Sequence, residues 1–470
     1  MLKFVDFSSA GSKKYWLLFS FLILVFLTGG SPRSDVQSLL ILQPASVFVA
    51  VLSAVALRTN HITRQVWVVS ISVALAAVTT LQLIPLPPQI WQALPGRGYL
   101  TQVDKLAGFS EVLRPFTLSP TNGWHVAASS LTALAILSLG TQLAKGELFR
   151  LLPLLLAIGL FSGAVGILQM LGNPEGPLYF YRLSNAGSAV GLFANRNHAA
   201  TFLACLFPML AVYSMEAQVT AEARRNRRWI SMAAAMVLIP LILVIGSRTG
   251  LLVSTIGLAA AAAIYRRPFV ENGRNKIGSR NLIKFRLLSI FALLTVGALT
   301  FFLSRAEAIN RLFYDTAEAS KRSEFWSASL DLFWLCFPWG CGSGSFVDTF
   351  KIVEPRHLFD ATYLNHAHND WLETALTFGI LGVILQLAVL LYWLFGSVRI
   401  LQHGENNSKS MIFGRMASAV MAILGMASLF DYPLRTPALQ CVFIIAFLWF
   451  RQSQLDIASR RTPQTNTKSH

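Results

Sequence analysis

Four short clusters hold most of the side chains in this chain that could do chemistry. They are Gly191-Leu192-Phe193-Ala194-Asn195-Arg196-Asn197-His198, Ser247-Arg248-Thr249-Gly250, Asn365-His366-Ala367-His368-Asn369-Asp370-Trp371-Leu372-Glu373, and Asp431-Tyr432-Pro433-Leu434-Arg435-Thr436-Pro437. Arg196 and Arg248 suit an anion, because a guanidinium binds phosphate through charge-assisted hydrogen bonds. His366 and His368 suit proton transfer, because an imidazole near neutral pKa takes a proton from a hydroxyl and a neighbouring carboxylate orients it. A metal reading stands beside this one. His366 and His368 are two residues apart, which suits an extended strand, and Asp370 can complete a trio of ligands. A plain helix start is the third reading of that cluster. For the other clusters the bland readings are a helix capped by Asn195 with Arg196 snorkelling to lipid phosphate, and a turn with a surface Asp431–Arg435 pair broken by Pro433 and Pro437.

Weaker signals lie between the second and third clusters. Arg322 precedes the stretch 323–337, in which Phe325, Trp326, Leu330, Phe333 and Phe337 alternate with polar residues. That pattern predicts an amphipathic helix on a membrane surface, with Trp334 and Trp339 at headgroup level. Gly340, Gly342 and Gly344 follow. A glycine-rich turn lets backbone approach a ligand closely, but no Lys-Ser/Thr pair follows, so this is not a phosphate-binding P-loop. Cys336 and Cys341 can pair; spacing alone leaves that open.

The elements that must position these clusters are membrane helices. The chain has 470 residues, 54% hydrophobic and 13% charged, with mean hydropathy +0.54. Soluble domains carry about 25% charged residues, so a soluble enzyme, a disordered chain and a collagen-like chain are excluded. Four Cys exclude a disulfide scaffold, and no zinc motif occurs. Twelve apolar segments lie near 15–29, 37–57, 65–86, 124–143, 150–171, 190–214, 229–246, 250–265, 287–304, 371–396, 412–430 and 437–450. Each span needs about 20 apolar residues. The first reads as an uncleaved span, since Lys13 and Lys14 precede it and no A-x-A site follows.

Charge supplies the orientation. With both termini in the cytoplasm, the inner pieces hold 25 of the 39 Lys and Arg and 7 of the 22 Asp and Glu, a balance of +18 against −1 outside. The basic excess is therefore a topology signal facing anionic lipid, and nucleic acid is not an expected partner. All four clusters then fall at the outer ends of spans, where an ionisable residue is costly and usually has a purpose. The expected fold is an all-α polytopic membrane protein of about 12 transmembrane helices, N-in/C-in, with a large extracytoplasmic loop between helices 9 and 10. Its organisation is 1–189, five helices with the outer loop 87–123; 190–452, the core with the outer loop 305–370; and 453–470, a disordered cytoplasmic tail.

Taken together, the motifs resemble the O-antigen ligase / O-antigen polymerase family of bacterial membrane glycosyltransferases. Gly191-x-Phe193-x-Asn195-x-Asn197-x-x-Ala200 resembles the family's G-x-F-x-N-x-N-x-x-A opening, and Ser247-Arg248 its S-R pair. Pro338-x-Gly340-x-Gly342 resembles the P-x-G-x-G turn of its large outer loop. His368-Asn369, nine residues, then Gly379-x-x-Gly382 resembles the ligase pattern. Leu81-Gln82-x-x-Pro85-Leu86-Pro87 and Trp91 are similar to the family upstream; Arg196 and His198 depart from its pattern.

The resemblance implies transfer of a glycan from an undecaprenyl-diphosphate carrier to an acceptor hydroxyl, inverting and independent of metal or other cofactor. The acceptor would be a glycan, lipid A–core or a protein. The setting would be the bacterial inner membrane, with the site facing the periplasm. Arg248 is then expected to stabilise the diphosphate and His368 to act as general base, both catalytic. Asn195, Arg196, Asn197, Arg322, His366, Asn369, Asp370 and Arg435 are expected to bind substrate. The competing class is a transporter or flippase for a lipid-linked or anionic solute, which would place charges near the midplane at broken helices, often in repeated halves. No repeat is visible in the sequence. A membrane scaffold is the third class, and it would not need His368 or Arg248.

Overall fold

A computed structural model describes residues 11–216, 220–265, 316–359, 363–403 and 408–461. In chain order the helices are α1 (Lys13–Thr28), α2 (Leu39–Val55), α3 (Thr59–Arg64), α4 (Val66–Leu81), α5 (Pro88–Trp91), α6 (Gly98–Ala107), α7 (Pro120–Thr141), α8 (Lys145–Phe149), α9 (Leu151–Leu171), α10 (Arg196–Ser214), α11 (Ala221–Ile245), α12 (Arg248–Ile264), α13 (Thr316–Cys336), α14 (Phe346–Val353), α15 (Asp370–Gln402), α16 (Lys409–Ala427) and α17 (Pro437–Arg461). The only sheet among the described residues pairs β1 (Pro85–Leu86) with β2 (Arg114–Pro115). Among the described residues seven helices are long and apolar enough to cross a membrane, and α2, α4 and α12 are shorter apolar helices. The chain is thus a mostly helical, multi-pass membrane protein. Eleven of the twelve apolar segments coincide with helices. The twelfth, 287–304, and the basic loop 266–286 lie outside the described residues.

Two compact units divide the chain. Of the described residues, those within 151–320 and 422–433 form one, and those within 11–150, 321–421 and 434–461 form the other. In the first unit α10 is the central helix, with 94% of its apolar window buried. Small residues let its neighbours approach. A side chain at Gly250 would collide with Ala200, and a Cβ on Gly257 would sit 2.6 Å from the Ala204 oxygen. The expected span at 190 needs correction: α10 begins at Arg196. Gly191 has φ +59°, open to glycine but strained for an L side chain, and Asn195 is the extended N-cap. The segment before it is tied down by the buried Gln169, whose Oε1 accepts from Val190 N (3.0 Å) and Gly191 N (2.7 Å).

In the second unit α7 packs against α1, α2, α4 and α17, and Ser46 and Thr132 share a buried hydroxyl bond of 2.7 Å. Helix α15 is broken at Gly379 (φ +59°). A broken membrane helix frees backbone groups that must be satisfied inside the protein. The Pro338–Gly344 turn satisfies them: Ile380 N donates to Pro338 O (2.8 Å), Cys341 N to Leu376 O (2.9 Å) and Gly342 N to Thr377 O (3.1 Å). The Gln82 side chain joins the same junction, accepting from Ser343 N at 2.8 Å. The glycines are needed for this fit, since a Cβ on Gly340 would lie 2.6 Å from Thr377 O. Cys336 and Cys341 form a disulfide beneath the turn. The expected disordered tail from 453 is also corrected. Helix α17 continues to Arg461, with Ser453 buried and Gln454 Nε2 donating to Gly396 O at 2.9 Å.

Candidate functional site

The first unit joins the G-x-F-x-N-x-N and S-R motifs at one buried polar node. Asn195 caps α10 by accepting from Asn197 N at 2.8 Å. Ser247 caps α12 by accepting from Gly250 N at 2.9 Å. Ser247 Oγ also donates to Asn197 Oδ1 at 2.7 Å, so the two helix starts are bonded to each other. The successive contacts Ala200–Gly250 and Ala204–Gly257 show that α10 and α12 run in the same direction from there. Arg196 and Arg248 are therefore the first residues of two parallel helices whose N-termini meet, and Arg248 is exposed. Each N-terminus carries about half a positive charge, so this corner is electropositive twice over.

Asp431, absent from the expected site residues, anchors the node. Its side chain is 1% exposed, and its Oδ2 accepts from Asn197 Nδ2 (2.7 Å) and Asn195 Nδ2 (3.4 Å). His198 Nε2 lies 4.0 Å from the same oxygen, and the His198 ring stands edge-on to Tyr432. The expected surface pair of Asp431 with Arg435 is thus corrected: Asp431 is buried among amides. The side chains of Asn195 and Asn197 are engaged with Asp431 and Ser247.

In the second unit the His-rich segment forms a different node. Asn369 caps α15, accepting from Leu372 N at 3.0 Å. Glu373, one turn inside and 2% exposed, reaches back to the incoming chain. Its Oε2 accepts from Ala367 N (2.9 Å) and its Oε1 pairs with His366 Nδ1 (2.9 Å). Arg435 closes the network, with Nη1 3.4 Å from Glu373 Oε1 and Nε donating to Asp370 Oδ1 at 3.2 Å. Burial works against the Arg435 charge, but Glu373 and Asp370 outweigh it, so its pKa is held above the ordinary arginine value. Between these anchors His368 has φ +50°, the one non-glycine residue in the left-handed region among the described residues. Such conformers persist where the surroundings over-determine them and cluster at functional sites.

The structure therefore pairs His366 with Glu373 and sets Asp370 against Arg435 and Leu434 N, rather than gathering His366, His368 and Asp370 as three ligands. Among the described residues no group of three or more His, Cys, Asp and Glu is arranged to hold a metal ion. Arg322 lies within α13, and its side chain is outside the described residues. Glu373 and Asp431 stand in the clusters singled out from the sequence but were given no site role there. Their signal was a lone acid at the edge of an apolar helix, which demands a buried partner.

Comparison with curated proteins returns no match. The family model described as O-antigen ligase matches residues 232–387. That segment runs from inside α11 to inside α15. It takes in Ser247-Arg248, the Pro338-x-Gly340-x-Gly342 turn and His368 through Gly382, while Asn195, Asn197 and Arg435 lie beyond it. Over residues 232–387 the chain is thus similar to the O-antigen ligase family.

Proposed function

We propose that this protein transfers a glycan from an undecaprenyl-diphosphate carrier to an acceptor hydroxyl at the periplasmic face of the inner membrane. The reading includes twelve crossings with both termini inside, and an acceptor that is lipid A–core or another lipid-linked glycan. The observation that carries it is the pairing of two helix N-termini, each opening on an arginine and cross-linked by Asn197–Ser247. Such a corner is suited to a diphosphate. The Cys336–Cys341 disulfide supports an oxidising compartment for the loop that holds it.

In the proposed reaction the acceptor oxygen attacks the anomeric carbon as the bond from that carbon to the diphosphate oxygen breaks. Undecaprenyl diphosphate leaves with the bonding pair. Direct displacement inverts the anomeric centre and needs no metal. Arg248, assisted by Arg196, stabilises the charge on the departing diphosphate, which is often the largest catalytic term. His368 takes the acceptor proton, a role worth about 10²–10⁴-fold. Asn195 and Asn197 hold the two arginine-bearing helix starts, and Asn369, Asp370, His366 and Arg435 hold the His368 segment. Arg322 is a further candidate for the diphosphate.

The test is glycan profiling of a deletion strain rescued with wild type, Arg248→Ala or His368→Ala, with membrane protein levels matched. Short carrier-linked units accumulating in the deletion indicate a polymerase. Long carrier-linked chains missing from their acceptor indicate a ligase. Both variants are expected to fail in rescue. Wild-type transfer by either one removes that residue from the mechanism.

A further inference from the structure

The ends of the outer segment between β1 and β2 are tied together by the antiparallel pairs Pro85–Pro115 and Leu86–Arg114, so residues 87–113 form a closed loop. Two charged groups of this loop, Asp104 and Arg97, are buried, while Lys105 and Glu111 are exposed. Asp104 is 2% exposed and takes both bonds of a fork from Arg114, each 2.6 Å. Arg97, also 2% exposed, lies against the Phe116 ring and donates to the Phe116 carbonyl. Burial lowers the Arg97 pKa to about 10, which leaves it cationic at neutral pH.

Trp91 is buried, but many of the other apolar groups are exposed. On α6, Tyr99, Val103 and Leu106 follow i, i+4, i+7 spacing, one face of a helix, and are 68%, 42% and 91% exposed. Arg97, Thr101 and Asp104 fall on the opposite face. Phe109, Val112 and Leu113 extend the outer surface at 53%, 42% and 59% exposure. In water this arrangement wastes the hydrophobic effect, which favours the reverse. Exposed apolar residues also lead into the loop from the preceding membrane helix. Leu81 at the end of α4, Ile84 in the connection and Ile90 in α5 are 60%, 51% and 51% exposed. Exposed apolar residues at the end of α4 are thus followed along the chain by those of the loop.

We infer that residues 88–113 form a membrane-interface foot, with the Tyr99–Val103–Leu106 face of α6 lying in the acyl–headgroup boundary of the bilayer. A helix lying in that plane buries its apolar face about 5–10 Å deep. The occupant is lipid rather than a partner protein, because exposed apolar residues lead into the loop from a membrane helix and both ends of the loop return to apolar helices.

The test uses the full chain in lipid nanodiscs, labelled with bimane at Leu106→Cys or at Lys105→Cys. Unsubstituted protein serves as the blank, since its remaining thiols, Cys205 and Cys441, are buried. Quenching by acyl-chain nitroxide lipid is compared with quenching by aqueous iodide. The expected result is acyl-chain quenching at least threefold stronger at 106 than at 105, with iodide showing the reverse order. Iodide quenching at 106 equal to that at 105, or shielding of 106 from both quenchers, overturns the proposal. The second outcome would mean that protein covers the face. A parallel Val103→Asp variant carrying the Leu106→Cys label is expected to lose most of the acyl-chain quenching while keeping its Cys336–Cys341 disulfide, which separates lifting of the foot from unfolding.

Discussion

The start of α10 and the start of α15 face the same physical problem and solve it differently. Each sits at the edge of an apolar helix, and each is organised around a buried carboxylate, Asp431 in one unit and Glu373 in the other. Asp431 is met by the amides of Asn195 and Asn197 and by the Tyr432 N–H. Glu373 is met by the Arg435 guanidinium, by His366 and by the Ala367 N–H. Amide donors satisfy the acid without bringing a second charge into the interior. A guanidinium brings full charge and is itself held by two acids, Glu373 and Asp370. The first arrangement stiffens a corner where two helices present the positive ends of their dipoles. The second fixes a strained His-bearing turn. The lesson is that Arg435 and Arg248, alike in the sequence, belong to different kinds of structure: one locks carboxylates, and the other opens a helix at an exposed position.

Substitutions can break this comparison. The largest effect is expected at Arg435. Arg435→Met leaves two buried acids facing each other's charge, and breaking a buried pair costs about 3–5 kcal/mol. Thermal unfolding in detergent should show a correspondingly large drop, and adding Glu373→Gln should return part of it because the uncompensated charge is gone. No recovery in the double variant would mean that Arg435 contributes by packing rather than charge. A smaller loss is expected from Asn197→Leu, which strips an amide donor from Asp431 and an acceptor from Ser247; an unsatisfied buried group costs about 1–3 kcal/mol. Equal losses at Arg435 and Asn197 in the same melt would erase the distinction between the two nodes. The smallest effect is expected from Ser247→Ala. It removes the α12 cap, worth about 1 kcal/mol. Hydrogen exchange should rise at Gly250, whose N–H loses its acceptor, and stay unchanged at Leu372, which is capped in the other unit.

Parts of the site were legible because they depend on neighbours in sequence. Asn195, Ser247 and Asn369 are cap residues directly before apolar runs, and all three cap as their type and position suggest. Others were not legible. Periodicity marked 190–214 as one span, but Gly191 and the Asn195 cap postpone the helix to 196. The polar composition of 453–461 suggested a tail, yet burial against Gly396 keeps it helical. The alternative of a surface Asp431–Arg435 pair, suggested by their spacing of four residues, gives way to an Asp431 buried against Asn195 and Asn197.

Sequence alone determined the helical, membrane-embedded character of this protein, since about 20 apolar residues in a row leave the backbone no alternative but to satisfy itself locally. It also determined where polar residues interrupt that pattern. Tertiary structure decided which interruptions join. Asn197 meets Ser247 and Asp431, Arg435 meets Asp370 and Glu373, and Pro338 to Gly342 fills the break at Gly379. The burial of Asp104 in the loop 87–113 is likewise settled only once Arg114 has reached it. The reason is one of range. Helix formation is governed by contacts three and four residues apart, whereas a buried charge or a freed carbonyl must be satisfied by whatever donor the packed helices bring to it.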